Sequence, residues 1–238
     1  MLETLLPYTE SGDTFDSFVV HPSGTGPHPL VLLCHAYSGR DDFIEGRARE
    51  IAKLGYIAAA IDVYGIGERG EDHPSSTQRM TVLLNDPKRL RRRLRAAHDA
   101  ALMMTDVDKT RVSSIGYCFG DLCALLMARM GLPLKGAISF HGLLKVGEPL
   151  VDEIRARILV LHGQDDPFVP ATDISAFAEE MRRLHADWQL HVYPRTLHAF
   201  TNPAANEPEL ACVYHEEASR RSWATMTNFL SDIFREHE

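Results

Sequence analysis

The stretch Gly116-Tyr117-Cys118-Phe119-Gly120-Asp121 follows a short strand-like run, Val112–Ile115, and precedes an apolar segment with helical periodicity. A strand, Gly-x-nucleophile-x-Gly and a helix make up a nucleophile elbow, whose middle residue sits in a strained turn with its side chain above a sheet. The glycines let strand and helix approach where a Cβ would clash. We therefore predict that Cys118 is a catalytic nucleophile on a strand–turn–helix unit.

Buried-strand runs and helical patterns alternate along the rest of the chain. Short runs rich in Val, Ile, Leu or Ala predict strands at Leu30–Cys34, Tyr56–Ile61, Val112–Ile115, Gly136–Phe140, Ile158–His162 and Gln189–Tyr193. Helical patterns lie near Phe43–Leu54, Lys88–Met104, Phe119–Met130, Ala171–Leu184 and Glu216–Phe234. This alternation predicts an α/β fold with a mostly parallel central sheet and helices on both faces. A polar alternation at Thr14–Val20 predicts an antiparallel edge strand.

Size and composition fit one ordinary globular domain. The 238 residues, 45% hydrophobic and 24% charged, predict a single α/β domain over 1–238. The formal net charge of −8 argues against nucleic-acid and anionic membrane partners. No apolar run reaches the length of a membrane span, and no secretory signal is visible at the N-terminus. The four cysteines lack CxxC spacing, so we expect a reducing cytoplasm.

Two further stretches are open to more than one interpretation. The segment Tyr64–Asp86, rich in Gly, Pro and Ser, is predicted to be irregular, either a surface excursion or a wall over a catalytic cleft. The basic run Lys88–Arg95 suggests nucleic-acid binding at first sight. Because Leu90 and Leu94 recur at helical spacing within it, we predict a solvated helix face instead.

Three candidate catalytic residues follow three predicted strands. Cys118 follows the third strand, Asp166 the fifth and His198 the sixth. In open α/β sheets, ligands bind outside the carboxyl ends of the strands. The order nucleophile, acid, histidine is that of the α/β-hydrolase fold, which is therefore the predicted fold class. Asp165 competes with Asp166 for the acid, and the Gly-x-x-Asp spacing from Gly163 favours Asp166.

These residue types have complementary chemical roles. A free thiol has a pKa near 8.5, and a neighbouring imidazole raises its thiolate fraction and later protonates the leaving group. A carboxylate on the far ring nitrogen fixes the tautomer and stabilises the imidazolium. The developing oxyanion needs backbone donors, here predicted at Phe119 and near Tyr37.

The remaining cysteines and histidines are predicted to be structural. Cys34, Cys123 and Cys212 are expected in the core, and His35 is expected to brace the oxyanion loop. His141 and His162, which also lie at strand ends, are interpreted as structural. None of the twelve histidines has metal-ligand spacing with acidic partners, so we predict neither a metal nor another cofactor.

The elbow with cysteine, the segment Gly163-Gln164-Asp165-Asp166-Pro167-Phe168-Val169-Pro170 and the segment Tyr56–Gly65 together resemble the dienelactone hydrolase family. The resemblance runs from about Leu30 to Phe200. It implies a compact α/β-hydrolase with little or no cap, and a Cys-His-Asp triad. It also implies hydrolysis of small esters or lactones without a cofactor. By motif match the nucleophile falls on Cys118, the acid on Asp166 and the base on His198.

The sequence departs from that family at its carboxylate-handling positions. Where the family carries a glutamate in the oxyanion loop, this chain has Ala36. Where the family carries an arginine after the histidine, this chain has Asn202. Arg79 corresponds loosely to a second carboxylate-binding arginine. A missing cationic anchor removes a contact of roughly 1.5–3 kcal/mol to a substrate carboxylate, so we predict neutral esters as substrates. We also expect a constitutively active thiolate, with neutral phosphotriesters as secondary substrates.

Aromatic residues near the matched loops are open to two interpretations, an apolar acyl or leaving-group pocket or the core: Tyr37, Tyr117, Phe119, Phe168 and Phe200. The predicted partner is a small-molecule ester, and the chain is expected to be a monomer or a homodimer. Two alternatives remain open. A thioesterase or small-peptide hydrolase would use the same triad, and a redox-sensing protein would have Cys118 oxidised rather than acylated.

Overall fold

The computed structural model describes residues 1–145, 147 and 150–235. The chain forms two compact units, the first ending at Ser114 and the second beginning at Ile115. The strand β5 (Val107–Tyr117) contains the boundary between them. Among the helices of the described residues, none is both long and apolar enough to cross a membrane. The prediction of a single domain stays a prediction.

The first unit contains four strands and three helices before β5. These are β1 (Leu2–Glu10), β2 (Asp13–His21), β3 (His28–Cys34), α1 (Asp42–Lys53), β4 (Ile57–Ile61), α2 (His73–Leu84) and α3 (Pro87–Leu102). β1 pairs antiparallel with β2, β2 pairs antiparallel with β4, and β4 pairs parallel with β3. The antiparallel strand predicted at Thr14–Val20 is therefore confirmed, but it is not at the edge because β1 covers it. The sequence did not reveal β1 because most of its side chains are exposed.

The prediction of an irregular segment at Tyr64–Asp86 is wrong for its second half, which contains α2. The side chain of Asp72 accepts the backbone N–H of Ser75, and the Ser75 hydroxyl in turn accepts the N–H of Asp72. Pro74 occupies the first turn, where its missing N–H costs no hydrogen bond. Residues interpreted as loop formers are thus the start of a helix with a capping box.

The basic run forms the first half of α3, with one departure from the predicted solvated face. Leu90 and Leu94 are buried, as their spacing indicates. Arg93 is buried as well, and its guanidinium donates hydrogen bonds to the carbonyls of Val63 and Tyr64 at 2.7 and 3.0 Å. One of the basic side chains therefore holds the chain beyond β4 in place.

The second unit is a parallel sheet with helices. After β5 come α4 (Phe119–Arg129), β6 (Gly136–Phe140), β7 (Arg157–Gly163), α5 (Ala171–Arg183), β8 (Trp188–Tyr193), β9 (Asn206–Glu207), β10 (Cys212–Val213) and α6 (Glu216–Ile233). β7 pairs parallel with both β6 and β8. The carboxyl ends of these strands therefore lie at one edge, which gathers the loops that follow them. The short pair β9–β10 was not predicted, because two-residue strands carry no periodicity.

Candidate active site

Cys118 sits in the strained turn that the sequence predicts. Its backbone has φ 57° and ψ −117°, and it is the N-terminal capping residue of α4. A Cβ placed on Gly116 would lie 1.9 Å from the carbonyl oxygen of Gly120, so only glycine allows the strand and the helix this approach. The predicted strand–turn–helix geometry is confirmed.

The backbone around Cys118 is fixed on both sides, whereas its thiol is half-buried. The N–H of Cys118 donates to the Phe140 carbonyl at 3.2 Å, and the Cys118 carbonyl accepts the N–H of Asp121 at 3.1 Å. The positive end of the α4 dipole lies at this residue. Phe119 is the first residue of α4. The backbone N–H groups at the start of a helix have no acceptor within it and point out of its N-terminus.

The structure brings Asp166, and not Asp165, to His198. The Oδ2 atom of Asp166 lies 2.7 Å from Nδ1 of His198, and both side chains are buried. The other carboxylate oxygen accepts the N–H of Phe168 at 2.9 Å. Asp165 is exposed. The carboxylate therefore fixes the tautomer with a proton on Nδ1, which leaves Nε2 for the nucleophile.

The electrostatics of His198 indicate an ion pair. Burial acts to lower the pKa of His198, but the charge interactions and hydrogen bonds with Cys118 and Asp166 outweigh it and raise the pKa to about 10. The charged imidazolium is therefore the stable form of His198 at neutral pH. Cys118, His198 and Asp166 form one electrostatic unit, and a histidine at its ordinary pKa of about 6.5 would be mostly neutral there.

Cys212 belongs to the surroundings of this unit, although we predicted it to be in the core. It pairs with His198 in an isolated β-bridge, and the chain on either side is tied to the His198 backbone at 3.0 Å. Its side chain is half-buried. Burial and the Cys118 thiolate raise the pKa of Cys212 to about 11, so it is a neutral thiol. No sequence signal connects Cys212 to the site. Cys34 and Cys123 are buried, as predicted.

His141 also contacts His198, which sequence reasoning missed. Its ring meets the ring of His198 edge to face, with centroids 5.1 Å apart and an interplanar angle of 69°. Its Nε2 atom lies 2.8 Å from the Thr201 hydroxyl. The Phe168 ring contacts His198 too, at 5.0 Å and 82°. The imidazole of His198 is thus held by two rings in addition to Asp166.

Asp121 places a buried carboxyl three residues after the nucleophile. It is 1% exposed, and a Cβ placed on Gly142 would lie 1.8 Å from its Cγ atom. Burial raises the pKa of Asp121 to about 6, although the Ser139 hydroxyl and Arg129 act to lower it. We had no functional interpretation of Asp121. The sequence signal for this buried carboxyl is an acidic residue directly after Gly120, where the chain is closely packed.

The predicted pocket residues of the second unit differ in exposure. Phe168 is 45% exposed beside His198, whereas the side chains of Tyr117, Phe119 and Phe200 are buried in the interior. Tyr117 stacks on Phe140 at 4.7 Å. The Asn202 amide oxygen accepts the N–H of Ala204 at 3.0 Å within a local turn. Substrate binding by these residues stays a prediction.

The first unit contains the other predicted site residues. The carbonyl of Ala36 lies 2.7 Å from Nδ1 of His35, and the Tyr37 carbonyl accepts the Tyr64 hydroxyl at 2.9 Å. Burial lowers the pKa of His35, which therefore braces this loop as a neutral ring. Arg79 is paired with Glu68. The oxyanion role predicted for Tyr37 and the substrate-binding roles predicted for Ala36 and Arg79 stay predictions.

A cavity of about 540 Å³ lies in the first unit, between the β1–β2 turn and helices α2 and α3. Three arginines line it, and all three are engaged in ion pairs: Arg79 with Glu68, and Arg89 and Arg93 with Asp13. Across the part of the chain that the structure describes, no cluster of three or more His, Cys, Asp or Glu residues could hold a metal ion.

Comparisons with known proteins agree with this geometry. The model of the dienelactone hydrolase family matches residues 15–234. A Yersinia pestis protein whose name assigns it provisionally to the carboxymethylenebutenolidases is 29% identical over 96% of this chain and 87% of its own. A solved structure of a dienelactone hydrolase-like promiscuous phosphotriesterase from metagenomic libraries is 32% identical. That alignment covers 98% of this chain and 99% of the other, with a TM-score of 0.93.

A second solved structure, named m3DLH, is 34% identical over 98% of this chain and 99% of its own, with a TM-score of 0.94. These likenesses confirm the predicted fold class, an α/β-hydrolase with a mostly parallel sheet and flanking helices. They also confirm the resemblance on which the predicted activity rests. The chain therefore belongs to the dienelactone hydrolase family and is a dienelactone hydrolase-like ester hydrolase.

Proposed function

We propose that the chain hydrolyses small neutral carboxylic esters or lactones through Cys118, His198 and Asp166, without a cofactor. The observation that carries this proposal is the 2.7 Å contact between Asp166 and His198 beside a cysteine held at φ 57°. A strained, half-buried thiol at a helix N-terminus has the properties of a nucleophile rather than of an inert core cysteine.

Acylation begins with attack of the Cys118 thiolate on the ester carbonyl carbon. A sulfur–carbon bond forms, and the carbonyl electron pair moves to oxygen, where the backbone N–H of Phe119 stabilises the negative charge. The second donor, at Tyr37, stays a prediction from the sequence. Collapse of this adduct breaks the bond to the leaving oxygen. The His198 imidazolium donates its Nε2 proton to that oxygen, which leaves an alcohol, an acyl-thioester and a neutral histidine.

Deacylation reverses the roles of the same groups. Neutral His198 takes a proton from water, and the resulting hydroxide adds to the thioester carbonyl. Collapse of the second adduct breaks the sulfur–carbon bond and releases the carboxylic acid and the thiolate. Asp166 stabilises the imidazolium in both half-reactions and does not itself take the proton.

The predicted preference for neutral substrates follows from two positions of the sequence and from one exposed ring beside His198. Ala36 and Asn202 provide no charge at the two positions where the family carries ionised groups. The exposed ring of Phe168 provides an apolar wall beside His198. A carboxylate-bearing lactone would therefore lose charge-assisted hydrogen bonds that a neutral ester does not need.

A second activity, hydrolysis of neutral phosphotriesters, is supported by one specific observation. The solved structure named as a promiscuous phosphotriesterase matches 98% of this chain at 32% identity. In this reaction the Cys118 thiolate attacks phosphorus and expels an aryloxide, and water then cleaves the sulfur–phosphorus bond. A backbone oxyanion hole suits the phosphoryl oxygen because that centre is already tetrahedral.

The test compares wild type with Cys118→Ala on short-chain nitrophenyl esters and on paraoxon, a neutral phosphotriester. We expect multiple turnovers of the esters by wild type and their loss in the variant. Cys123→Ala is the matched control, because that thiol is buried in the same helix. Full activity of the Cys118 variant would reject the thiol mechanism, and a single stoichiometric burst with paraoxon would reject phosphotriester turnover.

The same experiment separates the other predicted functions. Preference for thioesters or short peptides over oxygen esters would indicate a thioesterase or a peptidase. Inactivity of wild type on every substrate, together with reversible oxidation of Cys118, would favour the redox-sensing protein. We further propose that the chain meets its small-molecule substrate in a reducing cytoplasm, as a monomer or a homodimer and without nucleic-acid or membrane partners.

A further inference from the structure

The end of strand β6 contacts both sides of the proposed catalytic unit. The carbonyl of Phe140 accepts the backbone N–H of Cys118 at 3.2 Å, which fixes the nucleophile turn. The next residue, His141, contacts His198 through its ring. Two consecutive residues of one strand end thus hold the nucleophile on one side and the base on the other.

The His141 side chain is fixed in turn by the loop that carries His198. Its Nε2 atom lies 2.8 Å from the hydroxyl of Thr201, three residues after His198. Its ring also meets the Phe200 ring edge to face at 5.3 Å. The side chain is 2% exposed, so it has little freedom to take another rotamer. Any shift of His141 would therefore be transmitted to His198.

The backbone of His141 is strained, as is that of Cys118. Its φ is 41°, a conformation that residues with a Cβ rarely adopt. The N–H of His141 donates to the Leu161 carbonyl at 3.0 Å, which anchors it to the end of β7. Such strain persists where surrounding contacts over-determine the conformation, and it concentrates at functional sites.

We propose that His141 is a positioning residue that sets the separation of His198 from Cys118. It acts through its ring contact with His198 and its hydrogen bond to Thr201, and it takes no proton from the substrate. This role rests on the proposed function, because it concerns the same nucleophile and base. Phe168 contacts His198 as well, so without His141 the imidazole keeps Asp166 and one ring but loses the link to β6.

The consequence is a measurable change in the thiolate–imidazolium pair. Cys118 is one of the groups that raise the pKa of His198, so a longer separation between the two side chains lowers that pKa. The other ionisable groups that interact with the pair are Asp166, His162, Asp121 and Cys212. Thr201→Val removes no ionisable group, so a changed pH profile in that variant reports on position.

The first measurement is ester turnover by His141→Ala, His141→Gln and Thr201→Val. We expect His141→Ala to lower kcat by about 10- to 100-fold with little change in KM, since displacement by about 1 Å costs up to about 100-fold. His141→Gln can retain a hydrogen bond to Thr201 and should recover part of the loss. His98→Gln is the control, because His98 is another buried histidine, from helix α3.

The second measurement is the rate of Cys118 alkylation by iodoacetamide at pH 6 and pH 9, in a background with Cys34, Cys123 and Cys212 replaced by serine or alanine. The rate at pH 6 divided by the rate at pH 9 should fall about tenfold or more in His141→Ala, because free thiols react mainly above pH 8. Thermal unfolding verifies that each variant is folded. If His141→Ala does not fold, His141→Gln and Thr201→Val provide the test.

Wild-type values of kcat and of the alkylation ratio in folded His141→Ala and Thr201→Val would overturn the proposal. An equal loss of kcat in His98→Gln would also overturn it, because replacing any buried histidine would then lower activity through lost stability. If wild type hydrolyses no ester, the proposed function fails, whereas the alkylation ratio still decides whether His141 positions His198. An unchanged ratio beside normal ester turnover rejects the positioning role alone.

Discussion

Strands β5 and β6 are each followed by a residue with a side chain in a left-handed backbone conformation. Cys118 has φ 57° after β5, and His141 has φ 41° after β6. The first lies between two glycines in a recognisable motif, whereas the second lies in Phe140-His141-Gly142, which matches no motif that we know. Backbone strain therefore accompanies both the proposed nucleophile and a residue that contacts the proposed base. The sequence motif reveals only the first of these two residues.

Both turns also depend on glycine at a close approach. A Cβ on Gly116 would fall on the Gly120 backbone, and a Cβ on Gly142 would fall on the Asp121 side chain. The first contact joins a strand to its own helix, so a short sequence pattern encodes it. The second joins β6 to the elbow helix across 21 positions of sequence, so no local pattern encodes it. Substitutions at the two turns should therefore differ in their effects on activity and on stability.

The largest expected effect is that of Cys118→Ala, which distinguishes the turn after β5 from the turn at His141. Replacing Cys118 by alanine removes the nucleophile, and loss of a nucleophile in a comparable triad costs about 10⁶-fold in kcat. We expect ester turnover to fall to background while the thermal unfolding temperature stays near that of wild type. A variant that retained more than a few per cent of the wild-type rate would show that Cys118, like His141, is not the nucleophile.

Asp166→Asn should have the next largest effect. The amide keeps the shape of the side chain but stabilises the wrong tautomer of His198, a change that costs about 10⁴-fold in a serine triad. Asp165→Asn is the matched control, because its exposed neighbouring carboxyl makes no contact that the structure records with His198. Steady-state kcat/KM should separate the two variants. Similar losses in both would indicate that the turn, and not the carboxylate, is responsible.

Gly142→Ala tests the second glycine approach. The new Cβ would lie within 2.0 Å of three Asp121 side-chain atoms, so we expect destabilisation of about 1–3 kcal/mol or more from overpacking. Asp121→Gly removes those atoms and should restore part of the loss in the double variant. The free energy of unfolding in urea measures both effects. Additive effects in the double variant would contradict a direct contact.

The last prediction concerns a stability effect that appears only as the pH changes. Burial raises the pKa of Asp121 from 3.8 to about 6 in the folded state, so folding favours its neutral form. Its contribution is most favourable below about pH 4 and is lost as the pH rises to about 6, on the order of 3 kcal/mol in all. Asparagine does not titrate. Asp121→Asn should therefore gain stability relative to wild type between pH 4 and pH 6, with no further gain above that.

Urea unfolding of both proteins at pH 4, 5, 6 and 7 measures this difference. Asp13→Asn is the control, because Asp13 lies outside the second unit and its charged form is paired with Arg89 and Arg93. A constant difference between Asp121→Asn and wild type across the four pH values would show that Asp121 keeps its charge in the fold.

Much of the fold could be predicted because its signals are local. The six strand runs and five helical patterns all correspond to elements of the structure, since burial and periodicity are properties of short segments. Strand β1 was missed because its side chains are mostly exposed. Helix α2 was missed because Pro74 and Ser75 serve both loops and helix starts, and only the reciprocal Asp72–Ser75 hydrogen bonds distinguish the two.

The candidate site divides in the same way. The elbow at Cys118, the preference for Asp166 over Asp165 and the position of His198 could be predicted, because each follows a predicted strand at a characteristic spacing. The contacts of Cys212 and His141 with His198 could not, and they are visible only in the folded chain. Only the tertiary structure showed that Gly142 packs on Asp121. The physical reason is range: strain and periodicity act between neighbours in sequence, whereas these contacts arise when parallel strands gather their carboxyl ends.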